Sequence, residues 1–152
     1  MSDDRFAAAS LALGLAFLAR VAGQAAQRWW GVSFLPSQDA WQGSSLPFPA
    51  LFVSQLVILV IIAVATLRIR AGRNLFGRRW MTSVAWFGIL YFVVMSARLV
   101  LGFGGSAGVF GEDSFAARRW FTAYLPTVFH LVLAGEVLLF AAYQRARLRQ
   151  TS

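Results

Sequence analysis

The chain has 152 residues, of which 59% are hydrophobic and 13% are charged, whereas soluble domains average roughly 45–50% and about 25%. So little polar surface cannot face water on every side, which excludes an ordinary soluble domain and leaves almost no soluble mass for a conventional enzyme. The net charge of +8 does not indicate nucleic-acid binding, because the charges separate apolar blocks instead of forming one basic surface.

Four apolar segments of spanning length follow one another along the chain, at residues 6–26, 48–67, 80–103 and 120–143. Each reaches the roughly 20 residues that an α-helix needs to cross a hydrocarbon core about 30 Å thick. Backbone amides in lipid must pair within their own segment, so each segment is predicted to be helical. The sequence therefore predicts one domain, an all-α transmembrane four-helix bundle.

The connections between the predicted helices differ in composition. The loop at 27–47 contains three tryptophans, and we expect it to lie on the outer membrane surface or to cap the bundle. Pro47 and Pro49 suit the first turn of the second helix. The loop at 68–79 is rich in arginine, and the loop at 104–119 begins with glycines.

The arginines predict the orientation of the bundle. Nine of them flank the side that holds both termini and the 68–79 loop, and three flank the opposite side. This bias predicts that both termini are cytoplasmic. All fourteen basic residues are arginine, a coding bias that favours a bacterial source and hence the bacterial inner membrane.

Four ionisable residues fall inside the predicted spans: Arg20, Arg98, His130 and Glu136. Such groups are costly in a bilayer, at least ~2.5–3.5 kcal/mol for a central arginine, so each is a candidate functional residue. A rise of ~1.5 Å per residue from the cytoplasmic boundary puts Arg20 at about 21 Å, Arg98 at about 24 Å and His130 at about 20 Å. Gln55 falls at about 18 Å. Four helices thus each contribute one side chain to a polar layer, defined as Arg20, Gln55, Arg98 and His130.

The polar layer is positively charged and has no carboxylate at its own depth. It is predicted to bind an anion or a carbonyl-bearing head group, such as an anionic phospholipid, a quinone or a lipid-linked acid. Tyr91 shares the helix face of Arg98 and is a further candidate ligand-binding residue. Alternatively, Arg20 and Arg98 snorkel to ordinary lipid phosphates and His130 bonds a carbonyl group of a neighbouring helix.

His130 also admits an interpretation as a haem ligand, with Met95 as the second axial ligand. Membrane bundles that hold haem generally use paired histidines, and this chain has one. Glu136 lies about 9 Å deeper than His130 and about 120° around the helix, so the two do not form an acid–base pair. Glu136 is therefore expected to be a proton or ion-pair site, either as a neutral acid or as a carboxylate paired with a loop arginine.

No phosphate-binding glycine loop, nucleophile elbow, zinc-protease helix or pair of catalytic carboxylates occurs in the sequence. The absence of cysteine also excludes disulfides and cysteine-based metal sites. These features favour a non-catalytic accessory or assembly subunit that binds lipid or quinone and contacts a membrane-protein partner or a second copy. The alternatives are a small oligomeric transporter or channel for an anionic or lipidic substrate, and a redox protein that binds haem or quinone.

The predicted orientation can be tested because a single introduced cysteine is the only thiol in the protein. In intact bacterial cells, a membrane-impermeant maleimide should label Ser37→Cys and should not label Ser2→Cys until the membrane is permeabilised. Labelling in the reverse order would contradict cytoplasmic termini.

Overall fold

The structure, a computed structural model, describes residues 2–41, 46–106 and 124–150, and the regular elements in these ranges are all α-helices. They are α1 (Asp3–Trp30), α2 (Gln38–Trp41), α3 (Phe48–Arg70), α4 (Arg78–Ser106) and α5 (Tyr124–Gln150). Four of them, all except the short α2, are long and apolar enough to cross a membrane. The described chain is thus all-helical, as predicted, with the four spans of a multi-pass membrane protein.

The long helices extend beyond the apolar segments that predict them. α5 continues through Arg147 and Arg149 to Gln150, and α4 includes Gly104 and Gly105, which were expected to begin a loop. Hydropathy marks only the apolar part of a helix, whereas backbone hydrogen bonding continues into the flanking polar residues. The rest of the predicted 104–119 loop from residue 107, and residues 120–123 of the fourth predicted span, lie outside the described residues.

The ends of α1 and α3 carry residues that suit helix termini. Asp3 and Asp4 lie in the first turn of α1, where negative charge is favourable beside the helix dipole. Pro49 lies in the first turn of α3, as the sequence predicts. Gly31 after α1 and Gly72 after α3 both have positive φ, at 58° and 61°, a conformation that glycine adopts without steric cost.

The four long helices are arranged in the order α3, α1, α5, α4. Helix α1 packs against both α3 and α5, α4 packs mainly against α5, and α3 and α5 barely touch. Two close approaches define the seams: Gly14 of α1 faces Ile62 of α3, and Gly88 of α4 faces Leu138 of α5. The outward faces of α3 and α4 carry large exposed apolar side chains such as Val60, which suit contact with acyl chains.

The end of the bundle that holds both termini and the loop between α3 and α4 is called the arginine-rich end. The Tyr143 ring packs edge-on to the Phe6 ring, with 5.5 Å between centroids, and its hydroxyl donates to Arg73 O at 3.1 Å. Arg147 pairs with Asp3 at 3.3 Å, which joins the end of α5 to the start of α1. The loop between α3 and α4 is therefore fastened to α5 on the same side as the termini.

Substitution of Gly88 by valine should destabilise the seam between α4 and α5. A Cβ at this position would lie 2.9 Å from Leu138 Cδ2 and 3.1 Å from Val137 Cγ1, and overpacking of this kind costs about 1–3 kcal/mol. Unfolding by SDS in mixed micelles should show this loss. Ala97→Val, at an exposed position of the same helix, is the matched control. Equal stability of the two variants would contradict the close packing of α4 against α5 at Gly88.

Candidate functional site

Arg20 of α1 is directed into the bundle and is only 7% exposed. Its Nη1 donates to Gln24 Oε1 at 3.2 Å and its Nη2 to Trp41 O at 3.4 Å. Its guanidinium carbon also lies 5.5 Å from the centre of the Phe129 ring of α5, within range of a cation–π contact. A side chain with these contacts is held by protein groups, which argues against the snorkelling alternative for Arg20.

Gln24 connects this arginine to the neighbouring helix. Its Oε1 accepts a second hydrogen bond, from Gln55 Nε2 of α3 at 3.0 Å, and both amide side chains are buried. Gln24 was not among the predicted site residues, although it lies one helical turn beyond Arg20 and therefore shares its face. One carbonyl oxygen thus accepts from two helices and sets the position of both donors.

Part of the connection between α1 and α3 folds back over this network. Trp41 of α2 is 6% exposed, its indole lies against Gly23, and its Nε1 donates to Pro36 O at 3.0 Å. Helix α2 contacts both α1 and α5. The sequence did not predict a role for the Trp41 carbonyl, because a backbone acceptor in a loop has no residue-type signal.

His130 of α5 contacts Tyr91 of the neighbouring helix, α4. The Tyr91 hydroxyl and His130 Nδ1 are 2.6 Å apart, so the ring nitrogen that remains for a ligand is Nε2. Arg98 of α4 is 4% exposed and lies two helical turns beyond Tyr91, on the same face of the helix. The Tyr91 hydroxyl group therefore helps to fix the orientation of the His130 ring.

A cavity of about 250 Å³ lies between α1, α3 and α5. Arg20, Gln55 and His130 line it, one from each helix, and most of the remaining lining is apolar, including Phe17 and Leu133. Three of the four residues of the polar layer thus surround one space, while the fourth, Arg98, is not among the residues that line it.

Two other predicted residues lie apart from this cavity. Glu136 is 2% exposed, and its Oε1 is hydrogen-bonded with the hydroxyl group of Ser10 of α1. Met95 lies one helical turn beyond Tyr91 on α4 and is not among the residues that line the cavity, so the interpretation of His130 and Met95 as haem ligands stays a prediction. Within the described ranges, no three histidine or acidic side chains are grouped to hold a metal ion.

No protein-family model, curated protein or solved structure that was compared with the chain matches it. The functional argument therefore depends on geometry: three donor side chains from three helices around one small cavity.

The double role of Gln24 Oε1 predicts unequal effects of two substitutions. Gln24→Leu leaves two buried donors, Arg20 Nη1 and Gln55 Nε2, without this acceptor and should cost about 1–3 kcal/mol. Gln55→Leu leaves the Arg20–Gln24 bond intact and should cost clearly less. SDS unfolding of the two variants checks this order, and an equal or reversed order would mean that Gln24 is not the shared acceptor.

Proposed function

We propose that the cavity between α1, α3 and α5 binds the oxygen-bearing head group of one amphipathic membrane molecule, a phospholipid or a quinone. The protein is then a small, non-catalytic accessory subunit of the bacterial inner membrane, with cytoplasmic termini and the cavity in the outer half of the bilayer. The observation that carries this proposal is that Arg20, Gln55 and His130 share one cavity whose other walls are mostly apolar.

Two polar atoms of the cavity residues have no hydrogen-bond partner among the described residues, which favours a ligand that carries both acceptors and a donor. Arg20 Nε and Gln55 Oε1 are buried and have no partner among the described residues. A buried polar atom left in this state costs about 1–3 kcal/mol. A phosphate or carbonyl oxygen would accept from Arg20, and a head-group hydroxyl would donate to Gln55.

The size and walls of the cavity support an amphipathic molecule. Pockets that enclose a whole small ligand measure roughly 300–1,000 Å³, so about 250 Å³ accommodates a head group and leaves the chains outside. The cavity lies where α3 and α5 barely touch, and its apolar lining includes Ile58 of α3 and Phe129 of α5. Acyl or prenyl chains would leave through this gap into the bilayer.

The membrane orientation and the accessory role have their own support. The arginine-rich end carries nine flanking arginines in the sequence, which favours the cytoplasm. The outward faces of α3 and α4 are apolar and offer area to acyl chains, a partner helix or a second copy. The polar groups around the cavity are chiefly hydrogen-bond donors. Such groups suit the binding of a head group better than a covalent reaction on it.

A redox role with a quinone is a second candidate, and one observation favours it. The hydrogen bond between Tyr91 and His130 Nδ1 connects the cavity to a second ionisable group. An imidazole linked in this way can donate from Nε2 to a quinone carbonyl group and take up a proton at Nδ1. In this case the bound molecule is a quinone and not a phospholipid.

The proposal predicts that the protein purified in mild detergent retains one amphipathic molecule. Mass spectrometry of the extract distinguishes a phospholipid from a quinone, and an absorption spectrum without a Soret band excludes haem. Arg20→Leu removes charge-assisted hydrogen bonds worth about 1.5–3 kcal/mol each, so retention should fall about 10- to 100-fold.

Arg28→Leu is the matched control, because Arg28 is an exposed arginine on the same helix and its loss changes the net charge equally. Gln55→Leu is a second test that leaves the Arg20–Gln24 bond intact, and retention should fall roughly fivefold. Equal retention by the wild-type protein, the Arg20 variant and the Gln55 variant would refute the cavity as the binding site.

A further inference from the structure

A second polar cluster lies nearer the arginine-rich end than the cavity does. Glu136 of α5 meets the hydroxyl of Ser10 of α1, and Ser10 Oγ lies 2.6 Å from Thr66 Oγ1 of α3. The Thr66 hydroxyl donates to Ile62 O of its own helix at 2.8 Å. Ser10 is fully buried and Glu136 is 2% exposed. This Glu136 cluster, defined as Glu136, Ser10, Thr66 and Ile62 O, connects three helices.

The protons of the Glu136 cluster can be counted. Three oxygen–oxygen contacts join it, and each needs one proton. Ser10 and Thr66 supply one hydroxyl proton each, while Ile62 O can only accept. Thr66 gives its proton to Ile62 O, so Ser10 must give its own to Thr66 and has none left for Glu136. The third proton can come only from the carboxyl group of Glu136.

We propose that Glu136 is a proton-binding site: the chain holds it as a neutral carboxylic acid that donates to Ser10. The inference is independent of the cavity and its ligand. In this arrangement the hydrogen bonds run in one direction, from Glu136 through Ser10 and Thr66 to Ile62 O. The other carboxyl oxygen, Oε2, is buried without a partner among the described residues, which is far less costly for a neutral acid than for a carboxylate.

The surrounding charges agree with a neutral acid. Counted along each helix, the nearest titratable side chains are Arg5 and Arg20 on α1, Arg68 on α3, Tyr91 on α4, and His130 and Tyr143 on α5. Arg5 is exposed. Arg68 is exposed and its Nη1 points to Asn74 O at 3.5 Å, so it is not directed at Glu136. Arg20 is ten residues beyond Ser10, about 15 Å along the helix, and is held by Gln24. His130 is engaged by Tyr91, and Tyr143 donates to Arg73 O.

The spacing of the oxygens favours direct hydrogen bonds over a metal cation held between them. Ligand oxygens at the 2.3–2.6 Å typical of a bound cation such as Ca²⁺ stand about 3.3 Å or more from each other at right angles. Ser10 Oγ and Thr66 Oγ1 are 2.6 Å apart, the separation of a direct hydrogen bond. This separation agrees with a cluster whose oxygens are joined by protons.

Isotope-edited infrared spectroscopy can test this assignment on the full chain. The sequence has two glutamates, Glu112 and Glu136, so in a Glu112→Gln background Glu136 is the sole glutamate. Cell-free synthesis with glutamate labelled with ¹³C at the side-chain carboxyl carbon then marks one group. At neutral pH the labelled minus unlabelled spectrum should show the carbonyl stretch of a protonated acid. The paired stretches of a carboxylate in its place would overturn the proposal.

Two further measurements test the direction of the bonds and the identity of the ligand. Ser10→Ala should shift the acid band because the carboxyl proton loses its acceptor, whereas Ser83→Ala, at an exposed serine of α4, should leave it in place. An unmoved band in Ser10→Ala would overturn the donation to Ser10. Sodium added at constant pH should change nothing, and conversion to carboxylate bands would reassign the cluster to a cation.

Discussion

The structure depends on the rule that a polar side chain inside a bilayer must find its partners in the protein, because no water is present there to serve it. Helix α1 carries three such side chains, Ser10, Arg20 and Gln24, within an arc of roughly 80° at 100° per residue. A helix with this face cannot lie at the edge of a bundle. Its central position, packed against both α3 and α5, follows from these residues.

The same rule explains which helices are outermost. Up to Leu67, helix α3 is apolar apart from Ser54, Gln55 and Thr66, and two of these, Gln55 and Thr66, contact α1. The rest of the surface of this stretch carries no polar group that lipid would leave without a hydrogen-bond partner, so it can face the lipid. Helix α4 needs only one neighbour for the same reason, and its contact with α5 combines the close approach at Gly88 with the Tyr91–His130 hydrogen bond.

Much of this architecture could be predicted from the sequence, because helical rise converts residue number directly into depth. Depth counting put Arg20, Gln55 and His130 in one layer, and the structure places them around one cavity. The same count put Arg98 in the layer, yet Arg98 is not among the residues that line the cavity. Depth does not reveal the order of helices around the bundle, so the sequence could not say which residues of the layer would share a space.

Other features of the site could not be predicted for a different reason. The Trp41 carbonyl that accepts from Arg20 belongs to a connection with no helical period, and its position depends on how the indole fits against Gly23. The sequence could place Glu136 below the layer but could not choose between a neutral acid and a carboxylate paired with a loop arginine. That choice depends on the hydroxyls of Ser10 and Thr66, which come from two other helices.

The two polar sites also explain how a gap can persist between α3 and α5. The polar contacts of α3 with α1 occur at two heights, Gln55 with Gln24 and Thr66 with Ser10. Two anchors on one neighbour fix the tilt of α3 without any need for close contact with α5, which α3 barely touches. The head group proposed for the cavity could therefore enter between α3 and α5 without breaking either anchor. The polar contacts that hold α3 against α1 would then keep the proposed site preformed. A preformed site avoids the cost of reorganisation on binding.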